Sequence, residues 1–283
     1  MNKKKVLYIL MIIIGMSLIS YPIISNYINM YKQTTIISNY QEEINKLPEQ
    51  EKKEELEKAR TYNDKLEQTT AIDLSLNNSE ANNDIKYINV LNIGETMGFI
   101  SIPKVDIYLP VYHGISEDVL QSGVGHIEKS SLPIGGENTH AVLAGHSGLA
   151  RTKIFDDLDK LNLGDIFYIY VLNETLQYQI DKIDIVLPND TETIKVEKDK
   201  DYVTLVTCTP RVLNTHRLLV RGTRIQENIE DTEKLEEENQ IDFKLEEIQN
   251  KSKIKIYISI VIFLSLFFLL AVVFLKEDKK GSK

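Results

Sequence analysis

The chain of 283 residues has a single cysteine, Cys208, and no tryptophan. One thiol excludes an internal disulfide, and it excludes the zinc sites that need several thiolates. Three roles remain for Cys208: a reactive nucleophile, one half of a disulfide with another chain, or a small buried apolar residue. The five histidines match no metal-binding spacing such as HExxH, so we expect neither a metal nor another cofactor.

Charged side chains are absent from two stretches, residues 6–31 and residues 256–275. Each is long enough to cross the apolar core of a bilayer, about 30 Å thick, as a helix. Three lysines precede the first stretch, as in a cleaved signal peptide, but its apolar run is longer than usual and no A-x-A-like cleavage site follows. We therefore predict a retained membrane anchor at residues 1–31 and a second transmembrane helix at residues 254–276.

The lysines beside the two predicted spans indicate how they are oriented. Lysines lie before the first span and in the tail at residues 277–283, and both groups suit the cytoplasmic side. Three lysines just before the second span argue weakly against this orientation. The preferred topology has both termini inside and the middle of the chain, about residues 32–253, outside the cell.

The net charge of −9 is unevenly distributed along the chain. Residues 226–250 contain ten acidic residues and two lysines, and so account for nearly all of it. We interpret residues 226–253 as a solvated acidic stalk that precedes the second span. The rest of the chain is close to neutral, so it offers no basic surface to nucleic acid.

The segment after the first span has a helical pattern. Apolar residues recur at spacings of three and four, with an interruption at Pro48. This predicts a helical extension over residues 32–72, either two packed amphipathic helices or a solvated coiled stem. Residues 73–93 are rich in Asn, Asp and Ser and indicate a loop.

From Gly98 onwards the pattern is that of short strands. Seven or eight β-branched and aromatic runs are separated by Gly, Pro, Asn and Asp. Residues 94–225 are therefore predicted to form one mostly β domain, a closed barrel or a sandwich. Asn173 and Glu174 are the predicted tight turn of a hairpin within it.

Cys208 ends a β-prone run, "TLVTCTP", which Pro210 terminates. A residue that ends a strand lies at the rim of a barrel or sheet, where binding and catalytic sites are often found. Arg217 follows nine residues later and opens the next predicted strand, "THRLLVRG". The two strand ends are therefore expected to lie side by side.

A thiol nucleophile needs a partner that lowers its pKa or takes its proton. His146 leaves an apolar strand in "HAVLAGHSG", which is the same kind of position as that of Cys208, so it is the favoured partner. The other four histidines have contexts more typical of structural roles: His113, His126, His140 and His216. The order of histidine before cysteine does not fit papain-like peptidases, and the local caspase signature is absent.

These motifs resemble the sortases, membrane-anchored cysteine transpeptidases of Gram-positive bacteria. The resemblance covers residues 94–225, through "MGFISIPKVDIYLPVYHG", "GVGHIEKSSLPIGGENTHAVLAGHSG" and "NTHRLLVRGTRI". It implies an eight-stranded sortase-type β-barrel with His146, Cys208 and Arg217 at one rim. Cys208 would attack the Thr–Gly carbonyl of an LPXTG-like sorting signal and form a thioester. His146 would exchange protons with the leaving and incoming amines, and Arg217 would hold the substrate and stabilise the oxyanion.

The helical extension and the second span look most like class C, the pilin-polymerising branch. That likeness implies that the partner is an LPXTG-bearing pilin, that the acceptor is a pilin Lys amine, and that the product is an isopeptide bond in a surface pilus. Three alternatives stay open: a housekeeping-type sortase that anchors proteins to cell-wall precursor, a hydrolytic cysteine peptidase, and a non-catalytic membrane-anchored binding barrel. Many class C enzymes carry an Asp-Pro-aromatic lid, whereas here Asp73 is followed by Leu74, so a lid at this place would depart from the family pattern.

Overall fold

The computed structural model describes residues 3–66, 85–149, 152–211 and 213–225, with a few positions between 247 and 265. The chain divides into two units, of which the larger comprises Lys32–Leu149 and Lys153–Asp231. The smaller consists mainly of Met1–Tyr31 and the C-terminal part of the chain. The lid residues considered above, Asp73 and Leu74, and most of the predicted acidic stalk lie outside the described residues.

The larger unit contains eight strands that close into a barrel in the order β1-β2-β3-β4-β7-β8-β6-β5. Two neighbouring pairs, β2–β3 and β4–β7, are parallel, and the others are antiparallel. The mostly β, eight-stranded barrel predicted from the sequence is therefore confirmed, and the sandwich is excluded. The strands are β1 (Gly98–Ile102), β2 (Ile107–His113), β3 (Val124–His126), β4 (Thr139–Ala144), β5 (Ile166–Val171), β6 (Glu174–Val186), β7 (Asp201–Thr209) and β8 (His216–Ile225).

Four α-helices lie within the described part of residues 3–225. They are α1 (Lys3–Lys46), α2 (Glu49–Lys65), α3 (Ile85–Ile88) and α4 (Glu117–Ser122). The later turns of α1 form the N-terminal extension together with α2. Pro48 separates α1 from α2, because proline has no N–H to donate to a continuing helix but is tolerated where a new helix starts.

The second half of α1 packs against the barrel. Ile37, Tyr40 and Ile44 recur on one helical face and are buried. The Tyr40 hydroxyl donates to the carbonyl oxygen of Met97 (3.2 Å) and accepts from the backbone N–H of Leu172 (3.0 Å). The extension is therefore a packed part of the larger unit and not a solvated stem.

The N-terminal apolar stretch lies within α1. The part of α1 from Leu10 to Lys46 is the one helical segment among the described residues that is long and apolar enough to cross a membrane, and an 18-residue window within it has a mean hydropathy of 1.6. The predicted second span, residues 254–276, lies mostly outside the described residues, although residues 256–261 are helical. The described residues thus contain one candidate span, by length and composition.

The β5–β6 hairpin turn lies one residue earlier than the sequence pattern predicts. Val171 pairs with Glu174, so Leu172 and Asn173 form the turn. Both have positive φ, 49° and 67°, as a type I′ turn requires. Leu172 adopts this unusual conformation while its side chain is buried and its N–H is bonded to Tyr40, so tertiary packing overrides the local preference.

A buried apolar cluster lies beside the ends of β4, β7 and β8. Strand residues and residues of the covering connections contribute to it: Val142, Ala144, Val186, Val206 and Leu219 from strands, and Ile115, Leu120, Ile127 and Ile194 from α4 and the connections. This face of the barrel is therefore covered by α4 and by the β6–β7 connection. The site described below lies beside this cluster, on the same strands.

Candidate active site

His146 lies just beyond the end of β4. Hydrogen bonding to β7 continues past the last strand residue, since the Gly145 N–H donates to the carbonyl oxygen of Val206 (3.0 Å). The Thr207 hydroxyl returns a bond to the carbonyl oxygen of Gly145 (2.7 Å). Because β4 and β7 run parallel, their carboxyl ends meet at the same rim, and His146 and Cys208 both follow from that register.

Gly145 lets the chain after β4 fold back closely. A Cβ at this position would lie 2.7 Å from Cδ2 of Phe155 and 2.8 Å from Cγ2 of Ile154, closer than real side chains approach. The N–H of Phe155 also donates to the carbonyl oxygen of His146 (2.9 Å). The backbone of His146 is thereby held between the β7 ladder and the returning loop.

Cys208 and Arg217 are direct partners across the antiparallel β7–β8 pair. On the other side, the hydroxyl of Ser147 donates to the carbonyl oxygen of Cys208 (2.8 Å). The structure therefore brings His146, Cys208 and Arg217 to one rim of the barrel, as the strand-end positions predict. The fold does this with three neighbouring strands, in the order β4-β7-β8.

Strand alternation sets the face on which these side chains lie. Residues two apart in a strand share a face, so Cys208 is on the face of Val206 and Arg217 on that of Leu219. Val206 and Leu219 belong to the buried cluster under α4 and the β6–β7 connection. The thiol and the guanidinium therefore lie at the open edge of a covered, apolar surface.

Burial and charge act on Cys208 in opposite directions. The side chain is half-buried, and this desolvation raises the pKa of the Cys208 thiol, while the positive charge of Arg217 lowers it. Arg217 itself is only 4% exposed, and its Nη1 donates to the carbonyl oxygens of Asn214 and His216 (both 3.1 Å). Its guanidinium is thus positioned by backbone acceptors as well as by its strand.

The loop after Cys208 is tied to the loop after His146. Arg211 donates to the carbonyl oxygen of Asp156, and its Nη2 lies 3.8 Å from Asp157 Oδ1 and 3.5 Å from Asp159 Oδ1. This contact joins the β7–β8 connection, which carries Arg211, to the β4–β5 connection. The sequence does not predict this contact, because no local pattern around Arg211 indicates which loop its side chain faces.

Glu117, in the first turn of α4, is the other neighbour of the site that the sequence did not reveal. Its Oε2 lies 3.3 Å from Nε2 of His146. The two residues are 29 positions apart and on different elements. The local signal is only a serine that caps a short helix, Ser116, which accepts from the N–H of Val119 (3.4 Å).

His126 and His140 have structural surroundings, as the sequence indicates. His126 is fully buried, and its Nε2 donates to the carbonyl oxygen of Ser131 (2.8 Å). His140 Nδ1 donates to the carbonyl oxygen of Lys195 (2.9 Å), and its Nε2 accepts from the Thr204 hydroxyl (2.7 Å). Burial lowers the pKa of each imidazole to about 4, so both are neutral at physiological pH.

The last two histidines also have local partners. His113 contacts the carbonyl oxygen of Val90 through Nε2 (2.7 Å), and burial lowers the pKa of its imidazole. His216 precedes Arg217 in β8 and contacts the hydroxyl of Thr215 through Nδ1 (2.9 Å). His216 also lies near the rim, since it pairs with Thr209 in the β7–β8 ladder. His146 is linked to Cys208 through its neighbour Ser147, whose hydroxyl donates to the Cys208 carbonyl oxygen.

Known proteins match this fold and this arrangement. The Sortase domain family model matches residues 100–225. Sortase D of Bacillus subtilis (strain 168) is 34% identical over 117 residues, which are 41% of this chain and 56% of that protein. The chain thus matches little more than half of that relative's length.

Solved structures give a broader match. Sortase C-1 of Streptococcus pneumoniae is 42% identical, with a TM-score of 0.64, over 68% of this chain and 98% of that one. A further structure, of Streptococcus pneumoniae sortase C, is 40% identical with a TM-score of 0.63, and covers 69% of this chain and 99% of that one. That structure bears on the catalysis and the pilin substrate specificity of that enzyme.

A closed eight-stranded barrel with a thiol, an imidazole and a guanidinium at one rim defines the class of cysteine transpeptidases to which these matches point. The chain belongs to the sortase family, and its structure is most similar to those of class C sortases.

Proposed function

We propose that this chain is a class C-like sortase, which cleaves an LPXTG-like sorting signal between Thr and Gly and joins the Thr to an amine. The observation that supports this most directly is the pairing of Cys208 with Arg217 across β7–β8, with Ser147 bonded to the Cys208 backbone. A thiol with a fixed cation on one side and an imidazole-bearing loop on the other has the parts that acyl transfer needs.

In the first half-reaction Cys208 attacks the carbonyl carbon of the Thr–Gly bond. Cys208 reacts as the thiolate, after its proton has passed to His146. The sulfur forms a bond to that carbon, the C–N bond breaks, and His146 gives this proton to the departing Gly amine. Arg217 donates to the oxygen that becomes negative in the tetrahedral intermediate. The product is a thioester between Cys208 and the Thr carbonyl.

In the second half-reaction an amine attacks the thioester carbon. His146, which lost its proton in the first step, takes one from the incoming amine, and the Cys208 sulfur leaves. This restores the starting protonation of the enzyme, so the two halves balance. For the class C role, the amine is a Lys side chain of another pilin subunit, and the product is an isopeptide bond.

The membrane segments place this chemistry where its substrates are. We assign the apolar part of α1 and the predicted span at residues 254–276 to two transmembrane helices, with the barrel outside the cell. Holding both reactants at the outer membrane face raises their effective concentration. Transfer to an amine is thereby favoured over loss of the thioester to water.

The test uses the full chain in detergent, an LPXTG peptide, and either a pilin-derived Lys peptide or a cell-wall-precursor amine as the acceptor. We expect a thioester adduct on Cys208 by intact-mass measurement, and a peptide ligated to the Lys acceptor. Cys208→Ala should lose both the adduct and the ligated product, while keeping its melting temperature within a few degrees.

Three results would count against the proposal. Ligation by Cys208→Ala at the normal rate would exclude the thioester route. Cleavage that yields only the hydrolysed peptide with every acceptor would indicate a hydrolytic peptidase. Ligation restricted to the cell-wall amine would replace pilin polymerisation with wall anchoring.

A further inference from the structure

Glu117 contacts His146 but has no step in the reaction proposed above. Its Oε2 lies 3.3 Å from Nε2 of His146, so an N–H on this ring nitrogen donates to the carboxylate. The side chain of His146 is 20% exposed and that of Glu117 is 55% exposed. Because solvent reaches this pair, its ion-pair contribution to the stability of the fold is small. The contact therefore matters for the orientation of the ring more than for the fold.

The carboxylate of Glu117 is itself held in place. Gln121, one turn further along α4, donates from Nε2 to Oε1 of Glu117 (2.6 Å). One carboxylate oxygen thus faces Gln121 and the other faces His146. These two contacts fix the orientation of the Glu117 carboxylate relative to His146.

The short helix that carries Glu117 is anchored at both ends and in the middle. Ser116 caps its first turn, and Leu120 is 1% exposed within the apolar cluster beneath the site. At the other end, Gln33 of α1 donates from Nε2 to the carbonyl oxygen of Ser122 (2.9 Å). The N-terminal extension therefore supports the helix that faces His146.

A carboxylate on one imidazole nitrogen selects the tautomer and the ring orientation. With Nε2–H bonded to Glu117, the second nitrogen, Nδ1, is left to exchange protons with the sulfur and the substrate amines. In metal sites, partners that orient a histidine in this way typically contribute about 10–100-fold to affinity or activity. The geometry here is of the same kind, with a proton-transfer partner in place of a metal.

We propose that Glu117 is the positioning residue of His146, and that α4, supported by Gln33, presents it. This inference rests on the proposed function, because it assigns Glu117 a role in the same acyl transfer. Glu117 does not touch the substrate; it acts through the imidazole.

The experiment compares the full-length wild-type chain with Glu117→Ala, Glu117→Gln and a matched control, Asp118→Asn. Asp118 lies in the same first turn of α4, so its variant changes the helix-terminal charge without removing the His146 contact. We measure kcat and KM for ligation of the LPXTG peptide to an amine, the melting temperature, and the rate at which iodoacetamide alkylates Cys208.

Glu117→Ala should lower kcat about 10–100-fold with KM changed less than about threefold. Glu117→Gln keeps an acceptor oxygen but not the charge, so its kcat should lie between those of Glu117→Ala and the wild type. Asp118→Asn should stay within about twofold of wild type. Added acetate, which reaches the partly exposed space left by Glu117→Ala, should restore part of its kcat and have no such effect on the wild type.

Failure of this inference is distinguishable from failure of the proposed function. If the wild type forms no thioester, the proposed function fails before Glu117 is tested. If the wild type ligates and Glu117→Ala keeps its kcat within twofold, the positioning role is wrong. An equal loss in Asp118→Asn, or a loss that tracks the melting temperature and does not respond to acetate, would also overturn it.

Discussion

Cys208 is a thiol under two opposing influences, and the balance between them decides its reactivity. Partial burial beside an apolar cluster raises the pKa of the thiol, because the charged form loses solvation. Arg217, its direct partner in β8, lowers the pKa by stabilising the thiolate. The arginine therefore affects the pKa of the thiol even without substrate, in addition to the oxyanion role proposed above.

Replacing Arg217 should raise the pKa of Cys208, because desolvation then acts without the opposing charge. In Arg217→Ala, the curve of alkylation rate against pH should move to higher pH, whereas Arg217→Lys, which retains a cation, should move it less. Loss of a charge-assisted donor at the oxyanion should also lower kcat by about 10²–10³-fold. An alkylation curve for Arg217→Ala that lies at or below the pH of the wild-type curve would contradict the prediction. Cys208→Ala is the control for alkylation at other side chains.

At the scale of elements, local sequence patterns located strand ends but not their neighbours. Cys208 and His146 could be found because each directly follows an apolar run. That β4 and β7 pair in parallel, across about 60 intervening residues, depends on the closed barrel and has no local signal. For the same reason Glu117 could not be predicted, since only the packed fold brings α4 to His146. The hairpin turn at Leu172 differs by one residue from its prediction because Tyr40 of the distant α1 binds it.

Gly145 and Gly222 provide a matched test of how local packing positions His146. An alanine Cβ at Gly145 would lie 2.7 Å from Phe155, and one at Gly222 would lie 2.5 Å from Cε1 of Phe167. Both substitutions overpack the barrel and should each destabilise it by about 1–3 kcal/mol. Only Gly145→Ala displaces the loop that begins with His146, so its kcat should fall about 10–100-fold, as for a misplacement of about 1 Å.

Chemical denaturation and initial ligation rates, measured well below the melting temperature, separate the two effects. Gly222→Ala should keep a kcat within about threefold of wild type when normalised to folded protein. If both variants lose kcat equally, the loss reflects the barrel as a whole and Gly145 has no particular influence on His146.

At the scale of the whole chain, α1 combines two kinds of surface. Its N-terminal part exposes large apolar side chains, including Met11, Leu18 and Ile19, while its later turns bury Ile37 and Tyr40 within the larger unit. Exposed apolar surface of this extent is typical of a helix that lies in lipid. The sequence predicts this segment well, because its signal is compositional and needs no knowledge of the fold. The second span is predicted from the same signal and has its own test.

The single cysteine makes that topology directly measurable. With both termini inside and the barrel outside, a membrane-impermeant maleimide should label Cys208 in spheroplasts without permeabilisation. In a Cys208→Ala background, Gln240→Cys in the predicted acidic stalk should be labelled in the same way, because charged stalk residues face the same side as the barrel. Ser282→Cys, in the predicted cytoplasmic tail, should be labelled only after permeabilisation, since residues 254–276 would then separate it from the barrel.

Cys208→Ala alone gives the background. Labelling of Ser282→Cys in unpermeabilised spheroplasts would mean that the second apolar stretch does not cross the membrane, and the chain would then be held by its N-terminal helix alone.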